Sequence, residues 1–316
     1  MKGIKIPRTL AHDPARSILV IEDLGPLMTL WDFLNHLSGD SIPHQQTTCA
    51  TIGRRVGGFL AELHCQETAH RARRSAPADA AVLDCAHLIT ADLVLDAAVR
   101  PIRERLLSLG GLTEAETDAL YARILADFSR PNGPGESCLA MGDCHPGAIL
   151  IDPTPAGDEG ELPDIGVIDW EFAALHGGRG PNGDAAQLLA SLHALLLSLP
   201  QGSRARENVV ALAEAVGDAY SARAGYAGRE AVRSDPAAAA ILRSALILHG
   251  RELINQAVER PWGDGGLSVA EMVAVGIWYL RRAGENVDGM FERNNWNALM
   301  GEEASLMLRL FGLYER

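Results

Sequence analysis

The chain has 316 residues, 47% of them hydrophobic, which is enough to bury a substantial core as one domain or two. A formal net charge of −13 excludes nucleic acid and anionic membrane as general partners, because both are polyanions. The five cysteines form no C-x-x-C pair, and neither a signal-peptide core nor an apolar stretch of membrane-spanning length is present. We therefore expect a cytoplasmic protein with free thiols.

The predicted elements begin with strands and continue mainly as helices. An apolar run within residues 17–24 predicts an early strand. Hydrophobic periodicity then predicts helices at 27–37, 47–64, 86–107, 114–128, 184–199, 206–223, 235–259, 268–293 and 302–314. Surface loops are predicted at 71–81 and 152–163. Few strands among many helices favour an α+β fold over a doubly wound sheet.

Two short apolar runs, 149–151 and 165–168, predict a β-hairpin with a long loop. In an antiparallel pair the start of one strand lies about 5 Å from the end of the other. Asp143 and Asp169 should therefore emerge at the same end of the hairpin. Carboxylates held together either share a proton or bind a divalent cation such as Mg²⁺, and a base beside a metal predicts phosphoryl transfer.

The run Met141 to Ala148, followed by Ile168-Asp169-Trp170-Glu171, resembles the catalytic hairpin of the aminoglycoside phosphotransferase and choline kinase family. The pattern in these relatives of protein kinases is H-G-D-x-x-x-x-N, hairpin, then I-D. The resemblance implies a protein-kinase-like fold, ATP and Mg²⁺ as cofactors, and a small hydroxylated molecule as acceptor. It implies that Asp143 is the catalytic base and that Asp169 binds the Mg²⁺ of the nucleotide.

The same resemblance gives Asp184 the role of an acid that braces the catalytic loop. A helix cap is the alternative, since an Asp before a helix satisfies free backbone donors. We predict that His145 organises the loop, because no second histidine lies at metal-ligand spacing. The glycine-rich stretch Gly177–Gly183 is predicted to be a flexible connection.

Two positions depart from the family pattern. Met141 replaces the motif His, and Ala148, which has no side-chain oxygen, replaces the Asn that binds a second metal. Glu171 is a candidate substitute, because positions i and i+2 of an extended stretch face the same way; a solvated loop acid is the alternative. This D-x-E arrangement is similar to the methylthioribose kinase branch and favours a thiosugar or related acceptor.

Weaker resemblances lie at the two ends of the chain. Residues 17–24 resemble the hinge strand, which implies nucleotide contacts at Glu22, Asp23 and Leu24. Arg281 and Arg282 resemble a substrate-binding arginine pair of the methylthioribose kinase branch, with an ordinary exposed helix face as the alternative. We expect residues 1–26 to be a remnant of the N-lobe and hinge, and 27–316 to be a helical C-lobe with its hairpin at about 139–172.

Kinase-like enzymes cover the nucleotide with a glycine-rich loop and a strand lysine. Lys2 and Lys5 are the only lysines, and no glycine loop precedes them. We expect either a truncated gene model or genuine loss of the lobe, and a non-catalytic, pseudokinase-like binding module is the alternative function.

The chain contains no G-K-[ST], G-x-S-x-G or H-E-x-x-H motif, which argues against other enzyme classes.

Overall fold

The computed structural model describes residues 3–36, 45–75, 91–133, 136–152, 163–225, 228–262, 265–291 and 306–313. The strands are β1 (Ile4–Lys5), β2 (Thr9–Asp13), β3 (Ile18–Ile21), β4 (Met28–Thr29), β5 (Ser137–Ala140), β6 (Ile149–Ile151), β7 (Ile165–Val167) and β8 (Ala174–Arg179). The helices are α1 (Leu30–His36), α2 (Gln45–Leu63), α3 (Gln66–Ser75), α4 (Ile102–Leu109), α5 (Glu114–Ser129), α6 (Ala185–Ser198), α7 (Arg204–Ala224), α8 (Arg229–Ser234), α9 (Pro236–Glu259), α10 (Val269–Arg282) and α11 (Leu306–Leu310). The predicted α+β class is confirmed.

The described strands form one four-stranded and two two-stranded sheets. The largest described sheet has the strand order β1-β7-β6-β4, and its centre is the antiparallel pair β6–β7, so the predicted hairpin is confirmed. The predicted early strand is also confirmed: β3 pairs with β2 in a separate antiparallel ribbon. Apolar side chains of this ribbon face solvent, with Leu10 and Leu19 each 60% exposed.

The glycine-rich stretch after the hairpin is ordered, so the prediction of a flexible connection at Gly177–Gly183 was wrong. Its first residues belong to β8, which pairs with β5 so that Gly178 lies opposite Cys138. A tight π-helical turn, Gly180–Asp184, then leads directly into α6. The pairing partner of β8 lies some forty residues earlier in the chain, and local composition does not encode it.

The core is built around α6, whose residues are buried except for Gln187 at its start. Beside it, α2 and α7 approach closely because Gly53 and Gly57 face α7. A Cβ on Gly57 would lie 2.2 Å from the carbonyl oxygen of Val216. A one-turn glycine spacing thus determines how near these helices pack. None of the described helices combines the length and the apolar character needed to cross a membrane.

Several predicted boundaries were wrong, each for a local reason. The helix predicted at 27–37 begins as β4, because residues 28 and 29 pair with β6. The helix predicted at 86–107 is interrupted by a π-helical turn, 95–99, before Pro101, and α4 starts after that proline. The start of the loop predicted at 71–81 continues α3 to Ser75.

At the C-terminal end, the helix predicted at 268–293 stops at Arg282, and a short 3₁₀ turn follows at Gly289–Phe291. The first residues of the predicted helices at 86–107 and 302–314 and the loop at 153–162 lie outside the described residues. The remaining predicted helices agree with the structure to within about two residues at each end.

Candidate active site

The β6–β7 hairpin determines where the two motif aspartates emerge. Ile149 lies opposite Val167 in the ladder, and the Ile168 N–H donates to the carbonyl of Ala148 at 3.0 Å. The loop that carries Asp143 leads into the start of β6, and Asp169 follows the end of β7. The two loops therefore leave the hairpin at one edge, as its antiparallel register requires.

The loop that carries Asp143 has a conformation that its sequence enforces. Gly142 has φ +86°, and a Cβ at this position would lie 2.1 Å from the carbonyl oxygen of Phe172. Only glycine fits both requirements. Met141, which stands where the family motif has His, is fully buried among apolar neighbours. The substitution therefore keeps the loop anchored, with apolar packing at the position of the imidazole.

Asp184 holds this loop in place from the far side. Its Oδ2 and Oδ1 accept the backbone N–H groups of Met141 at 2.6 Å and Gly142 at 2.9 Å. His64, the residue after α2, places its Nε2 3.2 Å from Oδ2 and its Nδ1 3.0 Å from the Tyr220 hydroxyl. The side chain of Asp184 makes no capping bond to α6, so the helix-cap interpretation was wrong. The buried carboxylate instead ties the loop to two helices.

Asp143 is half-buried, and its carboxylate is oriented by neighbours. Gln187, in the first turn of α6, donates from Nε2 to Oδ1. His145 Nε2 lies 3.8 Å from Oδ2, while His145 Nδ1 accepts the N–H of Gly147 at 3.0 Å. His145 thus closes a turn inside the loop and stands beside the carboxylate.

Asp169 and Glu171 lie in the electrostatic environment of Asp143. Burial raises the pKa of Asp169, nearby Glu171 and Asp143 raise it further, and His145 lowers it. Asp169 also has φ +60°, a left-handed conformation that is rare for a residue with a side chain and is frequent at functional sites. The carboxylates repel one another across a shared space, where a cation would be stabilised.

The described carboxylates beside the hairpin fit a magnesium ion only if other ligands complete its shell. None of the groups that the described residues form has three His, Cys, Asp or Glu side chains arranged to hold a metal. Mg²⁺ needs only one or two carboxylates when water and phosphate oxygens complete its octahedral shell. Asp169 and Glu171 could supply those carboxylates, whereas the side chain at Ala148 offers no oxygen.

A cavity of about 770 Å³ opens beside Asp143, between α5, α9 and β8. This volume suits a ligand of small-molecule size. The polar residues that line it include Asp127, Arg130, Asn132, Asp143, Arg179, Gln187, Arg251 and Glu252. Apolar side chains of α5 and α9 complete the wall.

Most charges on the wall far from the hairpin are matched within the protein. Arg130 binds Glu136 at 2.6 Å and Asp127 at 2.8 Å, and Arg179 lies 3.4 Å from Asp127. Burial by itself raises the pKa of Glu136, but hydrogen bonds from Arg130 and the Gly133 N–H outweigh burial and bring the pKa to about 2. The charged side chains of this part of the wall are thus paired with one another.

The predicted hinge residues lie at the β2–β3 ribbon and the hairpin. Glu22 binds Arg8 at 3.0 Å, and Asp23 accepts the backbone N–H two residues further on at 2.9 Å. Leu24 packs over Gly166 of β7. The side chains of the two acids are thus engaged locally, and Leu24 lies against the β6–β7 hairpin.

Arg281 and Arg282 are not among the described residues that line the cavity. Arg281 is 57% exposed and lies 3.5 Å from Glu116, as expected of an ordinary exposed helix face. Arg282 is 2% exposed, so for this residue the exposed-face interpretation was wrong. Consecutive helix positions point about 100° apart, and Arg282 turns inward beside Trp278.

Gln187, Arg251 and Glu252 are among the residues of the site that were not predicted from the sequence. Gln187 carried a usable signal, because it follows Asp184 by three residues and so lies on the same helix face. Arg251 and Glu252 belong to α9, more than one hundred residues after Asp143. No local pattern connects α9 to the hairpin.

Comparison with known proteins bears on the region that holds this site. The sequence model of a phosphotransferase enzyme family, abbreviated APH, matches residues 1–226. That range includes Asp143, Asp169, Glu171 and Asp184. Among curated proteins no match was found.

Proposed function

Because this chain belongs to the phosphotransferase enzyme family, we propose that it transfers the γ-phosphoryl group of ATP to a hydroxyl group of a small molecule. The family accounts for the protein-kinase-like combination of a helical lobe with small sheets. One observation carries the proposal: Asp143 lies on a loop fixed by Asp184, beside a ligand-sized cavity and within the electrostatic influence of Asp169.

In the proposed reaction, Asp143 orients the acceptor hydroxyl and takes its proton. The hydroxyl oxygen forms a bond to the γ-phosphorus, the bond from that phosphorus to the bridging oxygen breaks, and ADP leaves with that oxygen. Gln187 keeps Oδ1 of Asp143 in place, which leaves the other carboxylate oxygen to receive the proton. Positioning of the two reactants supplies most of the rate enhancement in this type of reaction.

Asp169 and Glu171 are the residues that would hold Mg²⁺. When bound, Mg²⁺ neutralises phosphate charge and favours departure of ADP. In this arrangement residues 1–26 form the hinge side of the nucleotide site, and residues 27–316 form the lobe that carries the acceptor cavity.

A second candidate is binding without turnover, as in a pseudokinase. The observation that favours it concerns Lys5, whose ammonium lies 2.6 Å from Asp164 next to the hairpin. An ammonium engaged there does not serve the nucleotide phosphates as the strand lysine of kinases does. Lys2, the other lysine of the chain, lies outside the described residues.

ADP release tests the proposal. The purified chain is incubated with Mg-ATP and a panel of polyols, sugars and hydroxy acids. We expect acceptor-dependent ADP formation, and we expect Asp143→Asn to lower it by about 100-fold or more, the usual contribution of a positioned base. Asp118→Asn is the matched control, because Asp118 is exposed and its ion pair with Arg103 contributes little.

Equal turnover by wild type and Asp143→Asn would remove Asp143 from the mechanism. If Mg-ATP raises the melting temperature while none of the acceptors stimulates ADP release, the second candidate replaces the first. Absence of both effects would contradict the two candidates together.

A further inference from the structure

One buried cation in the cavity makes no hydrogen bond or ion pair with the part of the chain that the structure describes. Arg251, on α9, is 8% exposed and lines the cavity together with Asp143 and Gln187. Its Nε has no hydrogen-bond partner, and no ion pair joins its guanidinium to any residue that the structure describes. A guanidinium carries five N–H donors, so burial in this state is costly unless a ligand supplies acceptors.

The other arginines of the cavity differ from Arg251 in this respect. Arg130 donates to both oxygens of Glu136, and Arg179 donates to Asn132 and to backbone carbonyls of residues 127 and 130. The N–H groups of these two arginines therefore already bond to other residues of the protein. Arg251 is therefore the arginine of the described lining that remains available to a ligand.

The charges around Arg251 indicate what kind of ligand fits. Burial lowers the pKa of Arg251, and the fields of Glu252, Asp127 and Asp143 raise it, so these carboxylates lie near enough to act on the guanidinium without bonding to it. Glu252 accepts a hydrogen bond from Gln256 at 2.8 Å. A phosphate ester would bring close to two negative charges toward these acids, whereas a carboxylate brings one.

We infer that the cavity binds a hydroxylated carboxylic acid, with the acid's carboxylate on Arg251 and its hydroxyl at Asp143. A carboxylate matches the planar guanidinium through two parallel hydrogen bonds. Asp143 and Arg251 line the same cavity, so one small molecule that fills it can contact both. The hydroxyl part of this inference rests on the proposed function, while the carboxylate part stands on Arg251 alone.

Thermal shift with matched ligand pairs tests the inference. Sodium gluconate is compared with sorbitol, and sodium glycerate with glycerol, at equal ionic strength. We expect at least one acid to raise the melting temperature of the wild type by about 2 °C or more beyond its neutral partner. We expect Arg251→Met to abolish that difference, and Arg251→Lys to retain part of it, since an ammonium keeps the charge and loses the fork.

Stability without ligand gives a second readout, which a merely structural arginine would not produce. Removing an unpaired buried charge should leave the melting temperature of Arg251→Met equal to or above that of wild type. Arg309→Met is the matched control: Arg309 is equally buried but bonds Glu214 at 2.6 Å and Asp218 at 3.2 Å, so its replacement should lower the melting temperature.

The inference is overturned if each acid and its neutral partner stabilise the wild type equally, or if the preference for the acid persists in Arg251→Met. ADP release in the same samples separates this outcome from failure of the proposed function. Release with sorbitol or glycerol as readily as with the acids contradicts the carboxylate site only. An acid that binds through Arg251 without any ADP release supports the site and contradicts the kinase activity.

Discussion

Asp184 shows how a single buried side chain can hold a loop in place through its hydrogen bonds. Its two oxygens are used by the N–H groups of residues 141 and 142 and by His64. The N–H of Met141 bonds to Asp184 in a buried setting, so loss of this acceptor would leave the donor unpaired. The position of Asp143 therefore depends on a buried carboxylate forty residues away.

Replacing Asp184 by alanine should release the loop that carries Asp143 and lower the stability of the whole protein. We expect a decrease of about 3 kcal/mol in the free energy of unfolding, because the buried N–H of Met141 loses its acceptor and the bonds to Gly142 and His64 are lost as well. Urea denaturation measures the change. Asp118→Ala, at an exposed ion pair, should shift the free energy by less than about 0.5 kcal/mol. Similar losses for both variants would show that Asp184 has no special structural role.

At the scale of elements, the contact between α2 and α7 depends on two glycines that most helices would avoid. Glycine costs a helix about 1 kcal/mol relative to alanine. Here the missing Cβ allows a backbone approach that places the end of α2, and so His64, next to Asp184. Packing outweighs helix propensity at these positions.

Adjacent glycines of α2 allow this balance to be measured. In Gly57→Ala the new Cβ would lie 2.2 Å from the Val216 carbonyl oxygen, so we expect a loss of about 2 kcal/mol of stability by overpacking. In Gly58→Ala the new Cβ meets nothing within 4 Å, so we expect a gain of about 0.5 to 1 kcal/mol from helix propensity. Chemical denaturation that shows a gain in both variants would contradict the close approach.

Helices α6 and α9 meet at a pair of buried histidines. His193 Nδ1 lies 3.0 Å from His249 Nε2, and both rings are fully buried. Burial, assisted by Arg206, lowers the pKa of His193 to about 3. Burial and the field of His193 bring the pKa of His249 well below its ordinary value. Both rings are therefore neutral in the folded protein at mild acid pH.

This pair predicts loss of stability on mild acidification. Below about pH 6.5 the two histidines bind protons in the unfolded chain but stay neutral in the folded protein. Stability therefore falls as pH falls through that value. Each ring contributes up to about 1.4 kcal/mol per pH unit, and we expect a loss of about 2 kcal/mol between pH 7 and pH 5.5. Urea titrations at the two pH values measure it. His249→Gln should reduce the loss, whereas the exposed His12→Gln should not.

At the scale of the whole molecule, the three carboxylates at residues 143, 169 and 171 give the proposed nucleotide site a negative field. ATP without a metal would add several negative charges to that field. Binding of the nucleotide should therefore be coupled to binding of Mg²⁺.

We expect Mg-ATP to stabilise the protein and ATP with EDTA not to do so. At a concentration one hundred times the dissociation constant, a ligand that binds only the folded state adds about 2.7 kcal/mol, a shift of several degrees. Differential scanning fluorimetry measures the difference, and Asp169→Asn should remove the dependence on magnesium. Equal stabilisation by ATP with and without EDTA would place the nucleotide away from these acids.

The sequence by itself determined the features that depend on neighbours along the chain. Two short apolar runs and the turn-rich segment between them predicted the β6–β7 hairpin, and helical periodicity predicted most helices. In an antiparallel hairpin the start of one strand lies beside the end of the other, so the sequence placed Asp143 and Asp169 at one edge. The motif residues around them carried the family resemblance. The positive φ of Gly142 is also a local feature, because it depends on the backbone conformation of a single residue.

Only the tertiary structure decided which distant residues complete the site. The pairing of β5 with β8, the burial of Arg282 and the presence of Arg251 in the cavity depend on contacts between segments far apart in sequence. An amphipathic pattern shows that a helix face is buried but not against what, since many packings bury the same apolar area. The partner of each face is selected by the shape and charge of the assembled core, and so the chemistry of the cavity beside Asp143 appears only after the helices have packed.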